Sequence, residues 1–293
     1  MKILIIDPYL TASHAVWVDL LQQLPEEVAI LTLPPYHWKW RMHGGSILLS
    51  DQLTQSHFQP DIIVASAMLD LNLFVAQSRP YLSPGCKLIV YFHENQLTYP
   101  ISDRDQDRNK NFDNHYAFIN FSSALLADKV LFNSKFHQST FLDSLPAFLS
   151  QFPDESLNQK VRLIEQKSSV ISPGYDDQGL LRQKQPRKAN TPPIILWNHR
   201  WEYDKNPMDF FNAIKHLQMQ SIDFGLIVCG EGFEDQPEAF SKIQSEFNNE
   251  LIHFGFAESR ADYKALLHQA NIIPVTSQQE FFGQSVMEAM AAG

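Results

Sequence analysis

The sequence has little cysteine: Cys86 and Cys229 are the only two in 293 residues. Two thiols can build neither a disulfide framework nor a cysteine-based zinc site, and their scarcity fits a reducing compartment. Long apolar runs are missing too. The start reads Met1-Lys2-Ile3-Leu4-Ile5-Ile6-Asp7, an apolar run of only four residues before an acid. A signal peptide needs a longer stretch and a membrane span needs about 20 apolar residues, so a soluble, cytoplasmic protein without a membrane partner is expected. Positive charge is the third shortage, with 23 Lys+Arg against 33 Asp+Glu and a formal net charge of −10. Such acidity argues at first sight against a nucleic-acid partner, because phosphates are usually met by clustered Lys and Arg. The 11 histidines show no His-x-x-x-His pair and no Cys/His ligand spacing, which disfavours a zinc enzyme.

What is present is a globular chain. Hydrophobic residues at 44% can fill a core, and charged residues at 19% are too few for a disordered chain. At roughly 100–200 residues per domain, the length suggests two domains.

Short apolar runs recur, each followed by a segment with helical spacing. They are Lys2–Asp7, Val28–Thr32, Asp61–Ala65, Lys87–Tyr91, Lys129–Phe132 and Ser168–Ser172, then Pro193–Trp197, Phe224–Cys229, Leu251–Phe254 and Asn271–Val275. Near-continuous apolar strands alternating with helices predict an α/β, doubly wound architecture with parallel sheets covered on both faces. Between the two series lie Pro173-Gly174-Tyr175-Asp176-Asp177 and then Leu181–Pro193, with three prolines and four basic residues. That composition reads as a linker. The expected layout is therefore a domain over 1–172, a linker over 173–192 and a second domain over 193–293. The second series stops at Gly293, where a further strand would follow, so this domain is expected to be incomplete.

Three segments at strand ends carry candidate chemistry. In Glu280-Phe281-Phe282-Gly283-Gln284-Ser285-Val286-Met287-Glu288, two carboxylates bracket a strand–helix junction. Gly283 lets a ligand approach the backbone, free N–H groups at the helix start suit a diphosphate, and Glu280 and Glu288 can accept hydrogen bonds from hydroxyls. By spacing alone they could equally be solvent-facing helix glutamates. In the 197–207 segment, Arg200 and Lys205 share one loop ahead of a helix that Pro207 can start, a clamp for a leaving diphosphate. Surface pairing with Glu202 and Asp204 is the plainer alternative. In Phe92-His93-Glu94-Asn95-Gln96, the density of polar groups is hard to explain by packing, and His93 could hydrogen-bond a substrate hydroxyl or phosphate.

Two further segments stay open. Ser13-His14 follow the first strand, but residues 8–13 contain no glycine, so a G-x-G-x-x-G dinucleotide signature is absent and Ser13 could be only a helix cap. Residues 34–45, with Trp38, Lys39, Trp40 and Arg41, form an aromatic and basic loop that could stack a base while pairing phosphates, or could be a loop anchored by its tryptophans. Asp103-Arg104-Asp105 has a metal-type spacing, but Arg104 and Arg108 compete for the carboxylates, and a solvated loop is expected.

Taken together, the Glu-x7-Glu segment, the Arg200…Lys205 loop and the Pro-Gly-x-Asp linker resemble a family 4 retaining glycosyltransferase of the GT-B fold. The Tyr91–Pro100 block, Leu33-Pro34 with Trp38–Arg41, and His199–Lys205 are similar to the tRNA-queuosine α-mannosyltransferase family. The resemblance covers essentially the whole chain. It implies two Rossmann-like domains facing a cleft, GDP-mannose as donor, queuosine in tRNA as acceptor, retention of configuration and no metal cofactor. Carried over by position, it implies that Arg200 and Lys205 hold the donor diphosphate and that Glu280 contacts the sugar. Glu288 then contacts the ribose, Phe282 and Gly283 line the donor site, and His93 lies near the transferred sugar. Ser13, His14, Glu94, Asn95, Trp38 and Arg41 fall on the cleft or acceptor side. A different donor or acceptor (a lipid or glycan), or a silent nucleotide-sugar or RNA-binding protein, are the alternatives. The acidity does not exclude tRNA. Through residue 190 there are 17 basic and 19 acidic residues, while the remainder holds 6 and 14.

Overall fold

The computed structural model describes residues 1–100, 114–175, 179–181, 191–230 and 238–293. The chain divides into two compact units, Met1–Gly174 and Tyr175–Gly293. Residues 176–178 and 182–190 of the expected linker, and the Asp103-Arg104-Asp105 segment, lie outside the described residues.

In the first unit, strands and helices alternate as the apolar pattern predicts. They run β1 (Lys2–Asp7), α1 (Ala12–Gln22), β2 (Glu27–Thr32), α2 (Trp38–Ser56), β3 (Ile62–Ser66), α3 (Leu71–Ser78), β4 (Lys87–Phe92), α4 (His115–Leu126), β5 (Lys129–Phe132), α5 (Lys135–Leu149), α6 (Gln159–Gln166) and β6 (Ser168–Val170). All six strands are parallel, in the order β2-β1-β3-β4-β5-β6. The chain starts at β1, steps outward to β2, then reverses past β1 to β3. Right-handed crossovers then place α1 on one face and the later helices on the other. The cores agree with this. Leu4, Ile6, Ile63 and Val90 pack with Leu49, Phe74, Phe121 and Phe141, whereas Ile3, Ile5 and Tyr91 pack with Trp17 and Val18 of α1. The reversal between β1 and β3 opens a crevice at the carboxyl ends of the strands, the usual place for a ligand in open α/β sheets. Asp7 ends β1 and Phe92 ends β4, so His93 and Glu94 emerge on that same edge.

Two local expectations change here. Helix α1 begins at Ala12, capped by Thr11, whose side chain accepts from the His14 N–H at 3.5 Å. Ser13 is therefore not the cap; it sits in the first turn. The aromatic and basic segment is not a loop from Trp38 onward but the opening of α2, entered through His37 at φ 51°, ψ 61°. Its Gly44-Gly45 pair lowers helix propensity, which is why the sequence reads as a loop. Tertiary packing overrides that cost: a Cβ on Gly45 would lie 2.9 Å from Cβ of Pro8, so α2 rests directly on the loop after β1.

The second unit contains β7 (Ile194–Trp197), α7 (Pro207–Met219), β8 (Gly225–Cys229), α8 (Glu238–Glu246), β9 (Leu251–Gly255), α9 (Arg260–Gln269) and α10 (Gln284–Ala291). Its sheet is parallel with the order β7-β8-β9. The expected strand Asn271–Val275 is reduced to one bridge, Ile195 with Ile272. Pro274 offers no N–H to continue a ladder, and the chain turns instead toward the loop after β7. There Thr276 Oγ1 donates to Lys205 O at 2.8 Å, Trp197 Nε1 donates to Thr276 Oγ1 at 3.2 Å, and the Gln278 N–H donates to Asp204 O at 2.9 Å. These bonds fasten the Lys205 loop to the Glu280 loop.

Among the described residues, no helix is long and apolar enough to cross a membrane.

Candidate active site

In the first unit, a buried charge cluster occupies the carboxyl edge of the sheet. Asp7 is fully buried; its Oδ1 accepts from the Tyr9 N–H at 2.8 Å and its Oδ2 lies 2.8 Å from His14 Nδ1. The other ring nitrogen, His14 Nε2, lies 3.4 Å from Glu94 Oε2. Because both nitrogens face carboxylate oxygens, both carry protons and His14 is an imidazolium. Burial alone would depress its pKa, but the charges of Asp7 and Glu94 and their hydrogen bonds outweigh burial and raise it to about 10.

His93 lies against this cation, its ring stacked on His14 at 4.0 Å between centroids, with Trp17 edge-on at 4.8 Å and Tyr91 at 4.7 Å. Burial, then the charge of His14 and the proximity of His137, push its pKa well below the usual histidine value. His93 is thus neutral, and its buried Nε2 has no hydrogen-bond partner among the described residues. A neutral imidazole with one unmatched nitrogen is suited to a ligand hydroxyl.

Asp7, His14 and His93 also bring ligand-type atoms within 4.8 Å of one another. The Asp7–His14 hydrogen bond already joins two of these residues.

The surrounding loop is built by amides. Asn95 is buried, and its Oδ1 accepts from the N–H groups of Leu97 and Thr98 at 3.0 and 2.9 Å, closing an Asx-type turn. These bonds shape the loop that carries His93 and Glu94. Asn133 Nδ2 donates to His93 O at 2.7 Å, and its Oδ1 lies 2.8 Å from His137 Nδ1. Asn120 Nδ2 donates to Ala67 O at 2.8 Å and its Oδ1 accepts from the Gln96 N–H at 2.7 Å. The sequence reading missed Asp7, Asn120, Asn133 and His137. Only Asp7 left a signal, as an acid ending an apolar strand that needs a buried partner. Ser13 is exposed, its Oγ 3.1 Å from Thr11 Oγ1. Trp38 packs against Tyr116 with centroids 5.1 Å apart, and Arg41 Nε donates to Pro34 O at 3.3 Å.

The second unit has its own buried cation. Lys205 Nζ lies 3.1 Å from Asp204 Oδ2 and 3.0 Å from Glu280 Oε2, so the two residues singled out from distant loops do meet. Glu280 also accepts from Ser277 Oγ at 3.4 Å. Gly283, at φ +74°, begins α10, and a Cβ there would come within 3.0 Å of Glu280 Cγ. Phe281 is buried, Phe282 half-buried. Arg200 reaches outward to Glu202 at 3.3 Å.

Glu288 is buried, with Oε1 2.7 Å from Arg260 Nη2. Tyr263 also hydrogen-bonds it, and burial followed by the Glu288 charge pushes that phenol far up. Asn198 Nδ2 donates to Tyr263 OH and to Ser285 O, both at 3.0 Å, tying the end of β7 to the start of α10. His199 is neutral, lowered to about 4 by burial and by the Lys205 charge.

Comparison with known proteins gives this geometry a context. Residues 2–175 match the family model described as tRNA-queuosine alpha-mannosyltransferase N-terminal, and residues 181–293 match that of glycosyl transferases group 1. A Drosophila melanogaster tRNA-queuosine alpha-mannosyltransferase is 33% identical over 99% of this chain and 77% of that protein. Among solved structures, the catalytic domain of starch synthase IV from Arabidopsis thaliana superposes with a TM-score of 0.64 at 13% identity, covering 100% of this chain and 81% of that one. TarM gives 0.53 at 14% identity, over 83% of this chain, which spans 42% of TarM. The fold is GT-B and the activity is that of a glycosyltransferase; the chain belongs to the tRNA-queuosine alpha-mannosyltransferase family.

Proposed function

We propose that the protein transfers mannose from GDP-mannose onto queuosine in tRNA, with retention of anomeric configuration and without a metal cofactor. The observation that carries this reading is the match along nearly the whole chain to an enzyme of that name. The charge arrangement of the second unit supports it.

Glycosyl transfer passes through an oxocarbenium-like state, so negative charge grows on the departing phosphate. Lys205, Arg200 and the N–H groups at the start of α10 supply positive charge and donors for it, and such groups act most strongly when the charge is fully developed. Glu280 has an oxygen beyond its contacts to Lys205 and Ser277, and it serves sugar hydroxyls. Glu288, oriented by Arg260 and Tyr263, serves the ribose. Phe282 and Gly283 shape the donor site. In this reading no carboxylate acts as nucleophile, and the leaving phosphate takes the acceptor proton on the same face. In the first unit, neutral His93 offers Nε2 to a hydroxyl of the transferring sugar or the acceptor, while His14, itself paired with Glu94, holds its ring. Ser13, Trp38 and Arg41 belong to the acceptor side. In this reading the protein works in the cytoplasm.

The test is transfer by the purified full chain to queuosine-containing tRNA, with GDP-mannose and UDP-sugars offered separately and tRNA nucleosides analysed by mass spectrometry. Hexosylated queuosine from GDP-mannose alone, undiminished by a chelator, is the expected result. Product from a UDP-sugar instead, no product at all, or a chelator-sensitive reaction restored by a divalent ion would each contradict the corresponding part of the reading.

A further inference from the structure

Neighbouring tryptophans at the start of α2 do different things. Trp38 turns inward onto Tyr116, whereas Trp40 is 63% exposed, as is Tyr36 just ahead of the helix. The indole of Trp40 lies back along its own helix. A Cβ on Gly44, one turn on, would stand 2.9 Å from Trp40 Cε2 and 3.0 Å from Cζ2. Positions four apart share a helix face, so only a residue without a side chain lets an indole lie down there. The ring therefore lies against the helix at Gly44 while the side chain stays largely exposed. A ring supported in this way loses less freedom on stacking than an unsupported one.

The sequence around it is free of carboxylates. From Val28 through Ser50 there is no Asp or Glu, while His37, Lys39, Arg41 and His43 fall inside that stretch of a chain with net charge −10. The location is equally specific. Gly45, the next residue, abuts Pro8 of the loop after Asp7, so this turn of α2 is seated at the edge of the sheet that holds His14 and His93.

We propose that Trp40, lying on Gly44, is a stacking platform for an unpaired base of the acceptor RNA, with Lys39 and Arg41 facing the adjoining phosphates. Aromatic rings beside cations are how proteins hold single-stranded RNA, since every base has a π-face and every nucleotide a phosphate. A protein partner is the competing occupant, because exposed Ile47 and Leu48 continue along the helix. The carboxylate-free, cationic border favours the polyanion. This inference rests on tRNA being the acceptor.

The experiment measures binding of the full chain to a synthetic RNA hairpin with an anticodon-type loop, by fluorescence anisotropy. Wild type, Trp40→Ala, Trp40→Phe and Gly44→Ala are compared, with circular dichroism as the folding control. Stacking on one base predicts a Kd raised about 5- to 100-fold in Trp40→Ala, with Trp40→Phe between it and wild type. Gly44→Ala keeps the tryptophan and every charge and improves helix propensity, yet it should also weaken binding, because its methyl group displaces the ring. Wild-type affinity in a folded Trp40→Ala overturns the platform alone. Failure of the wild type to bind any RNA overturns it together with the tRNA reading. If Trp40→Ala instead abolishes self-association in sedimentation and leaves RNA binding intact, the face is a protein contact and the inference is wrong.

Discussion

His14 and Lys205 are built alike. Each is a buried cation held between a buried aspartate and a half-exposed glutamate: Asp7 and Glu94 around His14, Asp204 and Glu280 around Lys205. The aspartate neutralises the cation inside the protein, and the glutamate is the more exposed member of each pair. Removing a buried partner leaves a bare charge, so Asp204→Asn should destabilise the second unit by about 3–5 kcal/mol in denaturant titration. Glu280→Gln should leave the fold intact and lower the rate of transfer about 100-fold or more, because the proposed mechanism puts this group at the reacting sugar. A near-normal rate in that variant would remove Glu280 from the site. The histidines also set a pH profile. His14 is raised to about 10, so its stabilising contribution is complete below its ordinary value of 6.5 and is lost as pH climbs from there through 10. His137 and His199, lowered to about 3 and about 4, act oppositely: stability falls as pH drops below 6.5, because the unfolded chain takes up the protons first. The melting temperature should therefore peak near neutrality. His14→Asn should flatten only the alkaline limb, and an unchanged alkaline limb would contradict the imidazolium assignment.

At the scale of elements, backbone contacts fix where the chemistry sits. Gly45→Val should cost about 1–3 kcal/mol, because its side chain enters the space of Pro8. Gly283→Ala should cost about 1 kcal/mol for a non-glycine residue at φ +74°, and should weaken binding of the nucleotide sugar in calorimetry, since its Cβ crowds Glu280. The parallel strands were legible because a strand buried on both faces writes an unbroken apolar run, as Ile3–Ile6 does. His93, Glu94, Lys205 and Glu280 were legible because polar groups follow such runs directly. The opening of α2 was not, since a glycine pair chosen for close packing resembles a loop. Nor was the loss of a strand at 271–275, where β-branched residues promise a ladder that Pro274 interrupts. Asp7 was not legible either, because its partner His14 is seven residues away and joins it only once α1 has formed.

Across the whole molecule, charge is distributed unevenly, and the excess of acid lies after residue 190. The part through residue 190 is nearly balanced, with its carboxylate-free stretch running from Val28 in β2 through the first turns of α2. A contact of this kind, with Lys39 and Arg41 as its phosphate partners, should show a weak salt dependence: the logarithm of the RNA affinity should fall with the logarithm of salt with a slope of about 1–2. A steep dependence would mean that a larger basic surface is engaged. The central claim, that this chain glycosylates queuosine in tRNA, is tested most directly by mass spectrometry of tRNA nucleosides from cells with and without its gene. Loss of hexosylated queuosine and accumulation of unmodified queuosine in the deletion, reversed by the wild-type gene and not by one encoding Glu280→Gln, is the result expected. Identical nucleoside profiles in the two strains would contradict it.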